Sequence, residues 1–172
     1  NTINNGRATV VENGLDKLIK SGIDNGLIKT TNDLSYAIKN TEMAIVCVGT
    51  PNDDSGLLDM QYVKKVIKKI ANEIHNKKFY TISIRSTVMP GTNEYISSLV
   101  EKISGKKNNL DFGIVSNPEF LREGSAIKDF FNPPYTVIGS NSVKSINQMK
   151  KLYSFLDCPL EIVDIKVAEL IK

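Results

Sequence analysis

MAIVCVGTP, from Met43 to Pro51, is a short apolar run that ends in a turn signal. The apolar residues predict a buried strand, and Gly-Thr-Pro predicts that the strand ends there. After a polar loop, Asp59 is typical of an N-cap, and apolar residues follow it with the spacing of one helical face. They are Met60, Val63, Val66, Ile67, Ile70, Ala71 and Ile74. YTISIR, from Tyr80 to Arg85, is the next strand candidate, so this segment predicts a strand–helix–strand unit with parallel strands.

The same alternation continues toward the C terminus. Further strands are predicted at Asp111 to Val115, Tyr135 to Ile138 and around Leu160 to Val163. Helices are predicted from Asn93 to about Ile103, over the apolar positions from Val143 to Leu156, and after the last strand up to Lys172. Strands that alternate with helices of this length predict an α/β fold with a doubly wound parallel sheet.

The composition fits one globular domain. The chain has 172 residues, of which 41% are hydrophobic and 24% charged, and its formal net charge is +3. Lys64, Lys65, Lys68 and Lys69 are predicted to form a solvated helix face and not a nucleic-acid patch, because few aromatic residues are interleaved. No apolar run approaches the length of a membrane-spanning helix.

Polar residues follow three successive predicted strands. They are Gly49-Thr50-Pro51, Ser86-Thr87 and Asn117-Pro118-Glu119, with Glu123 four residues further on. Open parallel sheets bind ligands beyond the carboxyl ends of their strands. Asn117-Pro118 is also typical of a helix start, which would put Glu119 and Glu123 on one helical turn. Each segment alone is explained by a turn or a helix start, but three at one edge favour a binding site.

Lysine and cysteine positions are less informative. Spacing alone predicts that Lys172 is a surface residue paired with Glu169. Cys47 lies inside an apolar run and is predicted to be a small core residue and not a nucleophile, and Cys158 is predicted to be structural. The two cysteines are far apart, and His75 is the only histidine. This pattern predicts no metal site and no Cys–His pair.

Four blocks of the sequence resemble those of nucleotide-sugar 6-dehydrogenases, the UDP-glucose/GDP-mannose dehydrogenase family. They are VCVGTP (Val46 to Pro51), RSTVMPGT (Arg85 to Thr92), SNPEFLREGSAIKDF (Ser116 to Phe130) and VAELIK (Val167 to Lys172). NPEFLREG is long and specific, and VVENGLDKLI near the start is similar to the family's segment after its second strand. The stretch from Pro133 to Gly139 looks closer to the GDP-mannose branch.

The resemblance implies a chemistry and a setting. Enzymes of this family oxidise the C6 alcohol of a UDP- or GDP-sugar to a carboxylate, with two hydride transfers to NAD+. The intermediate is held on a cysteine as a thiohemiacetal and then a thioester. The resemblance therefore implies NAD as cofactor and a sugar nucleotide as substrate. It also implies a cytoplasmic homodimer or higher homo-oligomer, with no nucleic-acid or membrane partner.

The resemblance also implies roles for individual residues. The implied cofactor contacts are Gly49, Thr50, Pro51, Ser86, Thr87 and Glu123. The implied substrate contacts are Glu119, Phe120, Leu121, Arg122, Glu123 and Lys172. Thr87 would lie near a catalytic water, Glu119 would act with water in thioester hydrolysis, and Lys172 would stabilise negative charge on the substrate oxygen. Such a preplaced positive charge and a carboxylate beside water suit this chemistry.

Other parts of the family's pattern do not occur in this sequence. There is no GxGxxG phosphate-binding loop, and the acidic residue that would end the second strand is absent. The family's nucleophilic cysteine follows a later asparagine and a helical dimerisation domain, so neither cysteine here is expected to be the nucleophile. We therefore expect a partial NAD-binding domain over residues 1–163 that lacks the first strand–helix unit and the second strand. We expect residues 164–172 to start the helix leading into the dimerisation domain.

Two other hypotheses about function remain open. One is a non-catalytic remnant or interaction module that keeps part of the fold. The other is a different NAD-dependent oxidoreductase, such as a 3-hydroxyacid-type dehydrogenase, although NPEFLREG argues against it. Without the first strand, a sheet edge is expected to be unpaired, so we expect a partner, self-association or a rearranged sheet. We also expect these residues alone to show neither turnover nor ordinary affinity for NAD.

Overall fold

The computed structural model describes residues 2–54 and 56–172; Asn1, at the start of the predicted domain, and Ser55 lie outside them. Its strands are β1 (Met43–Val46), β2 (Tyr80–Ile84), β3 (Phe112–Ser116), β4 (Thr136–Gly139) and β5 (Leu160–Val163). Within the described residues the α-helices are α1 (Leu15–Asp24), α2 (Leu34–Lys39), α3 (Gln61–Glu73), α4 (Thr92–Ser104), α5 (Ala126–Phe131), α6 (Val143–Leu152) and α7 (Ile165–Leu170). Short 3-10 helices cover Ile3–Asn5 and Ile74–Asn76.

The five strands form one sheet in the order β1-β2-β3-β4-β5, which confirms the predicted α/β, Rossmann-like class. The sheet is mixed and not parallel throughout, however, because β3 pairs with β4 in the antiparallel sense, through Ser116 and Gly139. The connection between them contains only α5, a six-residue helix. Such a helix is about 9 Å long, so it does not by itself span a strand of about 17 Å. The chain therefore enters β4 from the edge where β3 ends.

Helix α3 packs as its sequence pattern predicts. Val63, Ile67, Ile70 and Ala71 are buried on the sheet, whereas Lys64, Lys65, Lys68 and Lys69 are exposed. All five residues of β2 are buried; Tyr80, Ile82 and Ile84 belong to the same apolar cluster as α3, whereas Thr81 contacts α6 on the other face. The carboxylate of Asp59 accepts a hydrogen bond from the backbone N–H of Gln61 at 2.8 Å, but the N-cap residue is Met60, so the N-cap predicted at Asp59 was one residue too early.

Strand β1 lies at the edge of the sheet. Within the described residues it pairs only with β2, and the side chain of Ile45 is 41% exposed. The predicted unpaired edge is therefore present, while the strand order remains regular. An edge of this kind offers unpaired N–H and C=O groups to another strand.

Helix α7 approaches β4 closely because Gly139 has no side chain. A Cβ atom on Gly139 would lie 2.4 Å from the Cβ of Ala168 and 3.1 Å from the Cα of Ile165. Real Cβ atoms do not make contacts of 2.4 Å. The glycine is thus required by the position of the helix, and Ala168 is buried against it.

We expect the substitution Gly139→Ala to lower the free energy of unfolding by about 1–3 kcal/mol, because the added methyl group overpacks the contact between β4 and α7. Urea denaturation of the purified chain measures this change. Gly49→Ala is the matched control, since a Cβ atom there would have no heavy atom within 4 Å. Equal stability of the Gly139→Ala variant and the original chain would contradict the packing argument.

Candidate functional site

The carboxyl ends of β1, β2 and β3 meet at one edge of the sheet, held by hydrogen bonds between the loops. The hydroxyl of Ser86, after β2, donates to the carbonyl of Val48, after β1, at 2.6 Å. The backbone N–H of Asn117, after β3, donates to the carbonyl of Ile84 at 2.8 Å. These bonds bring the three predicted segments, at Gly49-Thr50-Pro51, Ser86-Thr87 and Asn117-Pro118-Glu119, to the same edge.

Glu119 and Lys172 form an ion pair across this edge. The side chain of Lys172 is 24% exposed and that of Glu119 27%, so each is largely covered. The second carboxylate oxygen of Glu119 accepts a hydrogen bond from the backbone N–H of Leu121 at 2.7 Å.

The pKa of Glu119 lies below its ordinary value. Burial of the carboxyl raises its pKa, but the hydrogen bonds from Lys172 and Leu121 and the charges of Lys172 and Arg85 outweigh that effect. Glu119 is therefore ionised at neutral pH. This is the state in which a carboxylate can accept a proton or orient water.

Glu169 does not pair with Lys172, so the prediction from spacing alone was wrong. Its carboxylate is buried and accepts hydrogen bonds from Gly91 and Asn93 at the start of α4. Helical spacing brings residues three apart onto one face, but α7 ends at Leu170, before Lys172. The lysine side chain is therefore directed by its own contact with Glu119.

The predicted helix start at Asn117-Pro118 was also wrong, since the first helix after β3 is α5, which begins at Ala126. Asn117 is fully buried, and its amide donates to the carbonyl of Val137 at 2.8 Å, which holds the chain extended beside β4. Glu119 and Glu123 consequently do not share a helical turn. Glu119 lines one hollow and the exposed Glu123 lines another, so the structure does not bring the two carboxylates together.

The hollow beside Glu119 has a volume of about 330 Å³ and combines aromatic walls with fixed charge. Three predicted substrate-contacting residues line it with Glu119: Phe120, Leu121 and Arg122. The rings of Phe120 and Tyr135 meet edge to face, with centroids 6.0 Å apart. Such a hollow suits a partly apolar ligand that also carries polar groups.

Arg122 is held at the rim of this hollow by Asp129. Its Nη2 and Nε atoms donate to the two carboxylate oxygens of Asp129, at 2.7 and 3.0 Å. These hydrogen bonds hold the pKa of Asp129 well below its usual range. The bidentate pair fixes the guanidinium plane, although most of the arginine side chain is exposed to solvent.

Arg85 and Tyr153 also belong to this site, although the sequence patterns predicted no role for either residue. The Nη1 atom of Arg85 donates to Asn117 Oδ1 at 3.0 Å and to the hydroxyl of Tyr153 at 2.8 Å. The same hydroxyl donates to Asn117 Oδ1 at 2.6 Å. Arg85 and Asn117 lie within the family-like blocks, which was the available signal. Tyr153 has the spacing of an apolar helix face, so the sequence pattern did not predict a role for its hydroxyl group.

The prediction that Cys47 is a core residue was wrong, because β1 ends at Val46 and Cys47 is exposed at the site edge. Partial burial of the thiol nevertheless raises its pKa, as does the charge of Glu119, while Arg85 and Lys172 act in the opposite direction. The thiol is therefore neutral near pH 7. This state does not favour a nucleophile.

Within residues 2–54 and 56–172, no group of three or more His, Cys, Asp or Glu side chains could hold a metal ion. None of the helices in that part of the chain is long and apolar enough to span a membrane.

Comparison with known sequences identifies nucleotide-sugar dehydrogenases among the relatives of this chain. The sequence model of the UDP-glucose/GDP-mannose dehydrogenase family, NAD binding domain, matches residues 1–157. GDP-mannose 6-dehydrogenase of Pseudomonas savastanoi pv. phaseolicola is 44% identical over 172 residues, which cover 99% of this chain and 39% of that protein. UDP-glucose 6-dehydrogenase of Bacillus subtilis is 36% identical over 171 residues, which cover 99% of this chain and 36% of that protein.

Solved structures give the same result. A ternary complex of GDP-mannose dehydrogenase from Pseudomonas aeruginosa is 41% identical, with a TM-score of 0.96 over 99% of this chain and 39% of that one. UDP-glucose dehydrogenase from Pyrobaculum islandicum is 30% identical, with a TM-score of 0.91 over 98% of this chain and 39% of that one. The chain thus spans about two fifths of the length of these relatives. It belongs to the UDP-glucose/GDP-mannose dehydrogenase family and corresponds to the family's N-terminal, NAD-binding domain.

Proposed function

We propose that this chain supplies the cofactor and substrate edge of an NAD-dependent nucleotide-sugar 6-dehydrogenase. The observation that supports this most is the Glu119–Lys172 ion pair beside the carboxyl ends of three parallel strands. In the proposed reaction, the C6 alcohol, two NAD+ and one water give the carboxylate, two NADH and three protons. NAD accepts the two hydrides, and the residues of this chain bind, orient and move protons.

Lys172 and Glu119 would exchange partners when substrate binds. The ammonium of Lys172 would turn to the substrate oxygen, where negative charge develops as the hydride leaves. Glu119 would then lose the hydrogen bond and charge that lower its pKa. Its basicity would rise, and it could assist water in hydrolysis of the thioester. The pair would thus hold both groups in place until substrate separates them.

The residues at the sheet edge fit the reactive end of NAD. Gly49 is exposed, and a Cβ atom on it would meet no heavy atom within 4 Å, so a ligand can approach its backbone. Thr50 and Thr87 are partly exposed, and the Ser86 hydroxyl can still accept a hydrogen bond while donating to Val48. We propose Gly49, Thr50, Pro51, Ser86 and Thr87 as cofactor contacts, with Thr87 near the catalytic water. We also propose Glu123 as a contact of both the cofactor and the substrate; it lines a separate hollow.

The aromatic hollow beside Glu119 is the proposed site of the sugar nucleotide. The backbone N–H groups of Leu121 and Arg122 already donate to Glu119 and Asp129. Carbonyl groups of this segment and the rings of Phe120 and Tyr135 are therefore the features left for the ligand. We propose Glu119, Phe120, Leu121, Arg122 and Lys172 as substrate contacts, and a UDP- or GDP-sugar as the substrate class.

Further parts of the proposal concern the whole protein. Residues 1–163 would form part of the NAD-binding domain and residues 164–172 the start of the helix toward a dimerisation domain. The assembly would be a cytoplasmic homodimer or higher homo-oligomer. The alternative is a non-catalytic remnant or interaction module, which the unpaired edge of β1 would suit.

An activity assay on the complete gene product separates these alternatives. We expect NADH formation with GDP-mannose, UDP-glucose or UDP-N-acetylmannosamine, at two NADH for each sugar nucleotide consumed. The absorbance of NADH and the released carboxylate product measure this ratio. Inactivity with all three substrates, in a folded protein, would favour the non-catalytic alternative.

Substitution of Lys172 tests the proposed catalytic charge. In the complete gene product we expect Lys172→Ala to lower kcat by about 10²–10³-fold, because a preplaced positive charge at the developing oxyanion is lost. Lys166→Ala is the matched control, since Lys166 lies on α7, the helix that leads to Lys172, and its ion pair is with the exposed Glu94. Similar rates for Lys172→Ala and the original enzyme would remove Lys172 from the mechanism.

Binding of NAD to these 172 residues alone is expected to be weak, because no phosphate-binding glycine loop is present in this sequence. Isothermal titration of the purified chain with NAD+ measures it. A dissociation constant in the micromolar range would contradict this expectation and would show that the sheet edge suffices for binding.

A further inference from the structure

Glu169 is a buried carboxylate that joins α7 to the start of α4. It is 4% exposed. One carboxylate oxygen accepts a hydrogen bond from the backbone N–H of Gly91 at 2.6 Å. The other accepts two from Asn93, from its backbone N–H and its side-chain amide, both at 2.7 Å.

The position of these donors explains how a charge is tolerated here. A buried carboxylate is costly unless hydrogen bonds replace its hydration. Gly91 and Asn93 lie at the first turn of α4, where backbone N–H groups lack partners inside the helix and the helix dipole favours negative charge. The N-cap residue of α4 is Gly91, which has no side chain to accept a hydrogen bond from the helix start. Glu169 therefore caps α4 from another helix.

The same contact fixes two parts of the proposed site. Glu169 is three residues before Lys172, the partner of Glu119. Gly91 closes the loop that follows β2 and contains Ser86 and Thr87. A shift of Glu169 relative to α4 would therefore move the lysine and loosen the loop at the same time.

The other contacts of α7 do not replace this link. Lys166 and Glu94 form an ion pair at 3.4 Å, but both side chains are mostly exposed. Exposed ion pairs contribute little to the stability of a fold. Ala168 packs against Gly139, which sets the distance of the helix from the sheet but offers no directional bond. With six residues, α7 is also too short to be stable by itself.

We propose that Glu169 is a positioning residue for the reaction, one that locks α7 and the loop after β2 onto α4 and so directs Lys172 to Glu119. This inference rests on the proposed function for its catalytic meaning. The positioning itself is a property of this chain and does not require turnover.

The test uses the ionisation of Glu119 as a reporter of where Lys172 lies. Carboxyl carbon NMR of the 172-residue chain gives the pKa of Glu119 directly. In the original chain the pKa is lowered, so the stability contributed by the ion pair is present above the ordinary carboxyl pKa and is lost as pH falls through the lowered value. In Glu169→Ala we expect the pKa of Glu119 to rise toward its ordinary value, and this acid-side loss of stability to shrink.

Two control variants exclude a merely structural effect. Glu94→Gln removes the other carboxylate at the junction of α4 and α7, and should leave the pKa of Glu119 unchanged. Ile70→Val weakens the core under α3 without touching a carboxylate or Lys172, and should lower stability without changing that pKa. A rise in the pKa of Glu119 in either control would show that general loosening, and not Glu169, moves the lysine.

Glu169→Gln keeps the shape of the side chain and one acceptor oxygen but presents an NH2 group to one of the donors. We therefore expect a rise in the pKa of Glu119 that is smaller than in Glu169→Ala. Glu169→Gln carries the test if Glu169→Ala does not fold. An unchanged pKa of Glu119 in a folded Glu169 variant would overturn the proposal.

In the complete gene product, Glu169→Gln should lower kcat about 10- to 100-fold with little change in the KM for NAD. A shifted pKa without any turnover in the original protein would instead retain the positioning and reject the proposed reaction.

Discussion

The reversal of chain direction between β3 and β4 is the constraint on which the site depends. In a parallel crossover, the helix after a strand runs away from the carboxyl edge, so its last residues lie far from the ligand. Here β4 runs back from the edge where β3 ends, and β5 runs with it. Helix α7, which follows β5, therefore starts beside Gly139 and runs toward that edge. Only this direction lets Lys172 reach Glu119.

The reversed helix must then be held without a long interface. Gly139 permits close packing, and Glu169 adds three directional hydrogen bonds at the start of α4. Removing a hydrogen-bond partner of a buried group costs about 1–3 kcal/mol, which exceeds what an exposed ion pair such as Lys166–Glu94 contributes, about 0–1 kcal/mol. The buried hydrogen bonds of Glu169 therefore contribute more to the docking of α7 than the exposed Lys166–Glu94 ion pair does.

The periodic parts of this fold could be predicted from the sequence, because apolar spacing reflects burial directly. The face of α3 and the positions of all five strands follow from it. The direction of β4 could not be predicted, since it depends on the length of α5, and NPEFLREG gives no periodic signal because its backbone is irregular. Glu169 was misassigned for a related reason: spacing shows which residues share a helical face, but not which other helix that face meets.

The irregular NPEFLREG segment after β3 is also where the family resemblance is strongest. The irregular backbone and the resemblance have one cause. A helix would satisfy its own backbone groups, whereas the extended chain after β3 leaves them for Glu119, Asp129 and a ligand. The Glu119–Lys172 pair suits this arrangement. A fully buried pair would cost about 3–5 kcal/mol to break, and an exposed one about 0–1 kcal/mol. With about a quarter of each side chain exposed, this pair lies between those limits. It is strong enough to orient both groups before substrate binds, and weak enough for the proposed substrate oxygen to take Lys172 from Glu119.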